Sequence, residues 1–232
     1  MTLGQVPPGV DAPRPLRADA ERNRQRILAA AAQVFAQRGL DAGLDEIARR
    51  AGVGTGTVYR RFPDKTLLIE ALFESRIDAL LELAETALAM ADSWAGLVHF
   101  LERSTAMQLA DRGFKDLLFG DARCAAAVAS RRIVARLEQL IPTASAIVAR
   151  AQADGRLRAD VSVTDLAVIQ FMLHGVGVFG GTVEPELWRR QLALMLDGLR
   201  AGPPGPSGPS GPPGPLPVPP LTVAQLETIC LK

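Results

Sequence analysis

The 232-residue chain carries a formal net charge of +1 and is 48% apolar but only 5% aromatic. That length allows one large or two small domains with a substantial core, and abundant Ala and Leu with short β-branched runs point to an all-α fold. Cys124 and Cys230 match no metal spacing and no disulfide framework, which excludes a stapled secreted scaffold and suits a reducing, cytoplasmic setting.

Residues 1–18 hold four prolines and little apolar periodicity, so they read as a flexible N-terminal arm with no basic-then-apolar signal segment. A first helix is predicted from Asp19, a residue type suited to N-capping, to Arg38, with Ile27, Leu28, Ala31, Val34 and Phe35 as its buried stripe. Gly39 ends it. A helix of about two turns follows Gly43 and buries Leu44, Ile47 and Ala48. The turn Ala51-Gly52-Val53 leads into a third helix starting near Gly54 or Thr55, where Val58 and Phe62 dock underneath. Asp64 is placed to cap a long fourth helix that includes Leu68, Leu72, Phe73, Ile77 and Leu80 and runs on towards Met90. That helix is long enough to act as a strut.

Beyond it the pattern stays helical. Ser93 is expected to cap a helix ending near Ala110, and a short helix is predicted over Arg112–Phe119. A longer one is predicted from about Ala122 to Ala153, kinked or split at Pro142 and stopped by Gly155. Ser162 with Asp165 opens the next, and Glu184 or Pro185 begins the last. Leu166 to Val183 runs without a charge, near the lower limit of about 18 residues for a membrane span. Its Gln170, His174, four glycines and lack of flanking anchors favour a buried helix at a subunit interface, where glycine permits close approach, and argue against a membrane partner. Glycine then recurs at 202, 205, 208, 211 and 214 in a collagen-like register. Residues 202–220 read as a polyproline II spacer, followed by a short amphipathic end.

The chemistry concentrates at residues 43–62. The third helix leaves Thr55, Gly56, Thr57, Tyr59, Arg60 and Arg61 facing outward, and residues 17–65 carry ten Lys/Arg against six Asp/Glu. Hydroxyls and cations on a short, externally supported helix suit the major groove of double-stranded DNA. Thr57 and Tyr59 can orient on phosphates, Arg60 can read a guanine edge, and Lys65 can clamp the backbone outside the groove. A methyl of Thr55 or Thr57 can meet a thymine methyl.

The segments RILAAAAQVFAQRGL and LDEIARRAGVGTGTVYRRFPDK, with the LL that follows, resemble the N-terminal helix-turn-helix domain of the TetR family of transcriptional regulators. Three later segments, WAGLVHFLERSTAMQLADRGFKDLL, ARAQADGRLRADVSVTDL and PELWRRQLALMLDGLRA, are similar to the regulatory domain of a TetR subgroup frequent in actinobacteria. The resemblance implies a three-helix DNA-binding domain over 19–66, with its motif at 43–62. A helical ligand-binding and dimerisation domain would follow over 67–201, and a tail over 202–232. It also implies a homodimer, joined through helices at about 163–181 and 185–200, that binds a palindromic operator and is released by a small-molecule effector. The sequence departs from the family pattern at Gly43 and Gly54, where Ser or Thr often serves as cap or phosphate contact. Asp45 stands where some members read a base; a carboxylate there can accept only from a cytosine amino group or else makes no contact.

Candidates for an effector pocket are Phe100, Met107, Phe114, Leu118, Phe171, Met172 and His174, although each apolar one reads first as plain core. His99 and His174 read as structural histidines, and the Arg103, Arg112 and Lys115 cluster as a solvated cationic face able to attract an anion. No cofactor or metal is expected. Catalysis is the class-level rival, but no motif joins Cys124 to either histidine and no phosphate loop follows a strand. The closer alternative is a helical DNA-binding protein without small-molecule regulation.

Overall fold

The computed structural model describes residues 14–39, 41–110, 130–202 and 216–230. The helix expected at Arg112–Phe119, the start expected at Ala122, Phe114, Leu118, Lys115, Cys124 and the glycines at 205–214 lie outside the described residues. The chain is all-α: α1 (Arg14–Arg38), α2 (Leu44–Ala51), α3 (Thr55–Arg61), α4 (Lys65–Ala89), α5 (Ser93–Ala110), α6 (Arg131–Ala153), α7 (Val163–Gly180), α8 (Leu187–Leu199) and α9 (Val223–Cys230). Among the described residues the one β-type pairing is an isolated bridge between Leu157 and Arg200.

Several helix starts differ from the sequence expectation, each for a local reason. α1 begins five residues before Asp19, at Arg14. Pro15 falls in its first turn, where a missing N–H costs nothing because that donor has no intrahelical partner. Asp19 instead pairs with Arg22 along the helix face. For α5 the cap is Asp92 rather than Ser93: its carboxylate accepts from the Ala95 N–H at 3.0 Å, which holds the acid below its ordinary pKa. Ser93 is buried inside the first turn. α6 starts at Arg131 behind an extended Ser130, whose hydroxyl accepts from the Ile133 N–H. It also runs unbroken through Pro142. The hydroxyls of Thr143 and Ser145 donate to the Gln139 and Ile141 carbonyls around that proline, back-bonding of a kind that bends helices, while the carbonyl that loses its donor to Pro142 is that of Glu138. α8 starts at Leu187, after Glu184 and Pro185. α7 opens as expected, with the Asp165 carboxylate accepting from the Ser162 N–H at 2.8 Å.

Two apolar clusters organise these helices. The first joins Ile27, Ala31 and Phe35 of α1, Ile47 of α2, Val58 of α3 and Leu68, Leu72, Phe73 and Ile77 of α4, with Ile133 of α6 closing it. The second gathers Ala84 and Ala87 of α4, Leu97, Phe100 and Leu101 of α5, Ile147 and Ala151 of α6, Leu166 and Leu173 of α7 and Trp188 and Leu192 of α8. α4 contributes to both. Its N-terminus is capped by Asp64, which accepts from the Thr66 N–H at 2.9 Å. At its other end the Arg150 guanidinium donates to the Leu88 and Ala91 carbonyls at 2.5 and 2.8 Å, satisfying acceptors that a helix C-terminus leaves open.

The α7 glycines do not all serve an outer face. A Cβ at Gly177 would overlap the Leu109 side chain of α5, and one at Gly180 would lie 2.6 Å from Leu187 Cδ2. These two positions therefore let neighbours within the chain approach, whereas Gly175 borders open space. α7 is long and apolar enough to cross a membrane by length and composition, and 28% of it is buried within the chain.

The tail returns to the body after residue 215. The Leu216 N–H donates to Asp160 at 3.0 Å and Thr164 donates to the Leu221 carbonyl at 2.7 Å. Arg158 holds the other side of Asp160 with two bonds of 2.8 and 2.7 Å, and these bonds keep the carboxyl far below the usual carboxylate range. The end segment then forms α9.

At Gly96 a Cβ would overlap the Ala87 carbonyl oxygen where α5 crosses α4, whereas Gly198 in α8 borders open space. Gly96→Ala is expected to cost ~1–3 kcal/mol through overpacking, whereas Gly198→Ala should be neutral or stabilise by up to ~1 kcal/mol. Urea denaturation of the two variants checks the contrast; equal effects would contradict the described crossing.

Candidate functional site

α2 and α3 are short, so their placement depends on contacts with α1 and α4. α2 buries Leu44, Ile47, Ala48 and Ala51, and α3 buries Val58 with Phe62 just beyond it. Gly52 ends α2 at φ 63°, ψ 37°, the left-handed region that costs other residues roughly 1–2 kcal/mol. Its N–H donates to the Arg49 carbonyl at 3.2 Å, and the Val53 N–H to that of Ala48 at 3.1 Å.

One residue of this turn was not legible from the motif. Arg26 of α1 donates to the Ala51 carbonyl at 2.8 Å and the Gly52 carbonyl at 3.1 Å. A cation thus sits at the negative end of α2 and ties the turn to α1. A Cβ at Gly52 would stand 2.9 Å from that guanidinium. Glycine is required there twice, for its conformation and for the arginine. The only sequence signal was an arginine next to the buried stripe of α1, which periodicity alone treats as solvated.

The outward face of α3 carries the expected groups. Thr55, Gly56, Tyr59, Arg60 and Arg61 are exposed and Thr57 is half-buried. Arg60 leans on the Thr57 hydroxyl at 3.4 Å. Arg61 faces back to Glu21 of α1 at 4.0 Å. Asp45 is exposed in the first turn of α2, and Arg50 in its last turn bonds Gln33 of α1 at 3.0 Å. Lys65 is half-buried at the start of α4, its ammonium 5.8 Å from the Phe35 ring centre. Gly43 and Gly54 act as N-caps in extended conformation, without a side-chain bond. Glycine in that role costs only a few tenths of a kcal/mol.

Five of the expected pocket residues lie among the described residues. Phe100 and His174 are buried, Phe171 is half-buried and Met172 is exposed on α7. A cavity of about 430 Å³ opens between α4 and α5, lined by Ala79, Leu83, Arg103, Ala106 and Met107. Of the expected residues that are described, it takes in Met107. Beside it, Gln108 and Gln170 join α5 to α7 at 2.5 Å, and Gln170 donates to the Ser104 hydroxyl at 2.6 Å. Among the described residues no cluster of His, Cys, Asp and Glu could hold a metal.

Comparison with known proteins agrees with this geometry. Residues 27–72 match the model of bacterial regulatory proteins of the tetR family, and residues 92–201 match the C-terminal domain of SbtR-like transcriptional regulators. The chain is 45% identical over 87 residues to the HTH-type transcriptional regulator SrpR of Pseudomonas putida. That match covers 37% of this chain and 40% of SrpR. A TetR transcription regulatory protein from Mycobacterium vanbaalenii superposes with a TM-score of 0.60 at 35% identity, over 81% of this chain and 100% of the other. The TetR regulator SCO0520 from Streptomyces coelicolor does so with a TM-score of 0.60 at 32% identity, over 76% and 98%.

Gly52→Ala is expected to destabilise the protein by ~1–2 kcal/mol through left-handed strain. Arg26→Ala should cost about as much by removing two charge-assisted bonds. Because both act on one turn, the double variant should lose less than the sum, as chemical denaturation of the full cycle would reveal.

Proposed function

The chain belongs to the TetR family of bacterial regulatory proteins and is a DNA-binding transcriptional regulator rather than an enzyme; from that premise we propose that it is a homodimeric repressor released from a palindromic operator by a small molecule. The observation that carries the DNA-binding half is α3 itself, held by Val58 and Phe62 and presenting Thr55, Thr57, Tyr59 and Arg60 outward. Arg60 reads a guanine edge, Thr57 and Tyr59 bond phosphates, and Lys65 neutralises the backbone from the start of α4. Arg61, engaged by Glu21, helps seat α3 on α1 and meets phosphate at the edge of the groove. The exposed Asp45 accepts from a cytosine amino group or makes no base contact, and Gly56 lets the helix approach the base edges.

The domain division we propose is 19–66 for DNA binding and 67–201 for regulation and dimerisation, with the tail beyond. The two apolar clusters support it, and so does the shared helix α4. Dimerisation through α7 and α8 is supported by the apolar surface they leave uncovered: Phe179 and Val183 are each 88% exposed, and Leu194 and Met172 are also open. A second copy would bury that face and fix the spacing of the two α3 helices, which must match one DNA turn of about 34 Å or a multiple. An effector that favours a different spacing releases the operator by its differential affinity for the two states.

A footprint of the purified protein on DNA flanking its own gene supplies the operator. On it, Arg60→Ala should relax preference at one base pair by ~1–3 kcal/mol, whereas Lys65→Ala should weaken all DNA alike and lower the salt slope by about one. Identical effects on every sequence would contradict these roles. Phe179→Asp should convert the dimer to monomer in sedimentation and abolish tight operator binding while leaving the monomer folded; an unchanged mass would place the dimer contact elsewhere.

A further inference from the structure

We propose that the α4–α5 cavity receives an aliphatic carboxylate, whose head group is read by Arg103. The proposal rests on the ligand-released reading above and names the chemical class of its effector. Four of the five lining side chains (Ala79 and Leu83 of α4, Ala106 and Met107 of α5) are aliphatic or thioether. None offers an aromatic face for stacking or an amide or hydroxyl for a polar body. An unbranched hydrocarbon chain is the occupant such walls favour, and Met adapts to its contour.

Arg103 is the only charged lining residue among the described residues, and it is exposed. Among the described residues it makes no ion pair. On α4, Asp78, next to the lining Ala79, holds Arg136 at 3.0 Å. A guanidinium beside an aliphatic cavity, without a carboxylate of its own, matches an anionic head in charge. Its planar fork matches the two oxygens of a carboxylate in shape.

The position gives the occupant leverage on DNA binding. Ala79 and Leu83 follow Ile77, where α4 leaves the first apolar cluster, and precede or adjoin Ala84, where it enters the second. A chain inserted at that junction presses on α4, which like α6 contributes to both clusters, and any tilt reaches the cluster that Leu68 and Leu72 share with Val58 of α3.

Dodecanoate and dodecan-1-ol, both kept below their aggregation limits, separate the head from the tail. Calorimetry on the full-length protein should show dodecanoate binding about tenfold or more tighter than the alcohol. Arg103→Gln should remove that advantage and leave the alcohol unchanged, and Arg103→Lys should retain part of it. Ala106→Trp should block both ligands, with circular dichroism confirming that it folds. Equal affinity for acid and alcohol, indifference to Arg103→Gln, or no binding of either overturns the proposal. Operator release by an effector lacking a carboxylate would overturn it while preserving ligand control. Dodecanoate bound through Arg103 without any change in operator affinity would keep the site and sink the release reading.

Discussion

The structure depends on α4 belonging to two cores, which α6 also joins. α4 spans 25 residues, close to 37 Å at about 1.5 Å per residue. Its first half completes the packing around Phe35 and Ile47, and its second half packs with Leu97 and Ile147. Neither cluster is complete without it. α2 and α3, with eight and seven residues, are too short to be stable alone, because helices under about 12 residues are marginal in water without tertiary support. α3 has seven residues and one buried apolar side chain. Its conformation is therefore imposed by the platform that α1, α2 and α4 build.

The ends of the helices are held by a repeated device. Arg26 closes the C-terminus of α2, and Arg150 closes that of α4. Each comes from a distant helix and donates to two carbonyls, so a local need for donors becomes a tertiary tie. The aim of the recognition face and the junction between α4 and α5 both depend on these arginines. Across the second core the polar set Ser104, Gln108 and Gln170 plays a related part, because its bonds pair only in one register of α5 against α7.

α7 illustrates how composition and packing can be confused. Its glycines suggest a helix that another subunit approaches closely. Yet Gly177 is filled by Leu109 and Gly180 by Leu187, both from the same chain. What α7 leaves outward is apolar bulk, Met172 and Phe179 above all. The face available to a partner is thus made by large side chains rather than by small ones.

Local chemistry was legible in the sequence wherever neighbours in the chain decide the outcome. The all-α class followed from apolar spacing, the Gly52 turn from its flanking helices, the Asp64 cap and the Asp165 box from residues three or fewer positions away. The outward Thr55, Tyr59 and Arg60 followed because Val58 and Phe62 must point the other way. Tertiary structure decided what distant residues share: that Arg26 completes the turn, that Arg150 closes the end of α4, that Leu216 and Leu221 return to Asp160 and Thr164, and that Ala79 and Leu83 of α4 share a cavity with Arg103, Ala106 and Met107 of α5. Periodicity ranks side chains by the face they occupy on one helix. It carries no information about which helix meets that face, and pairings across 25 residues or more are set only by that meeting.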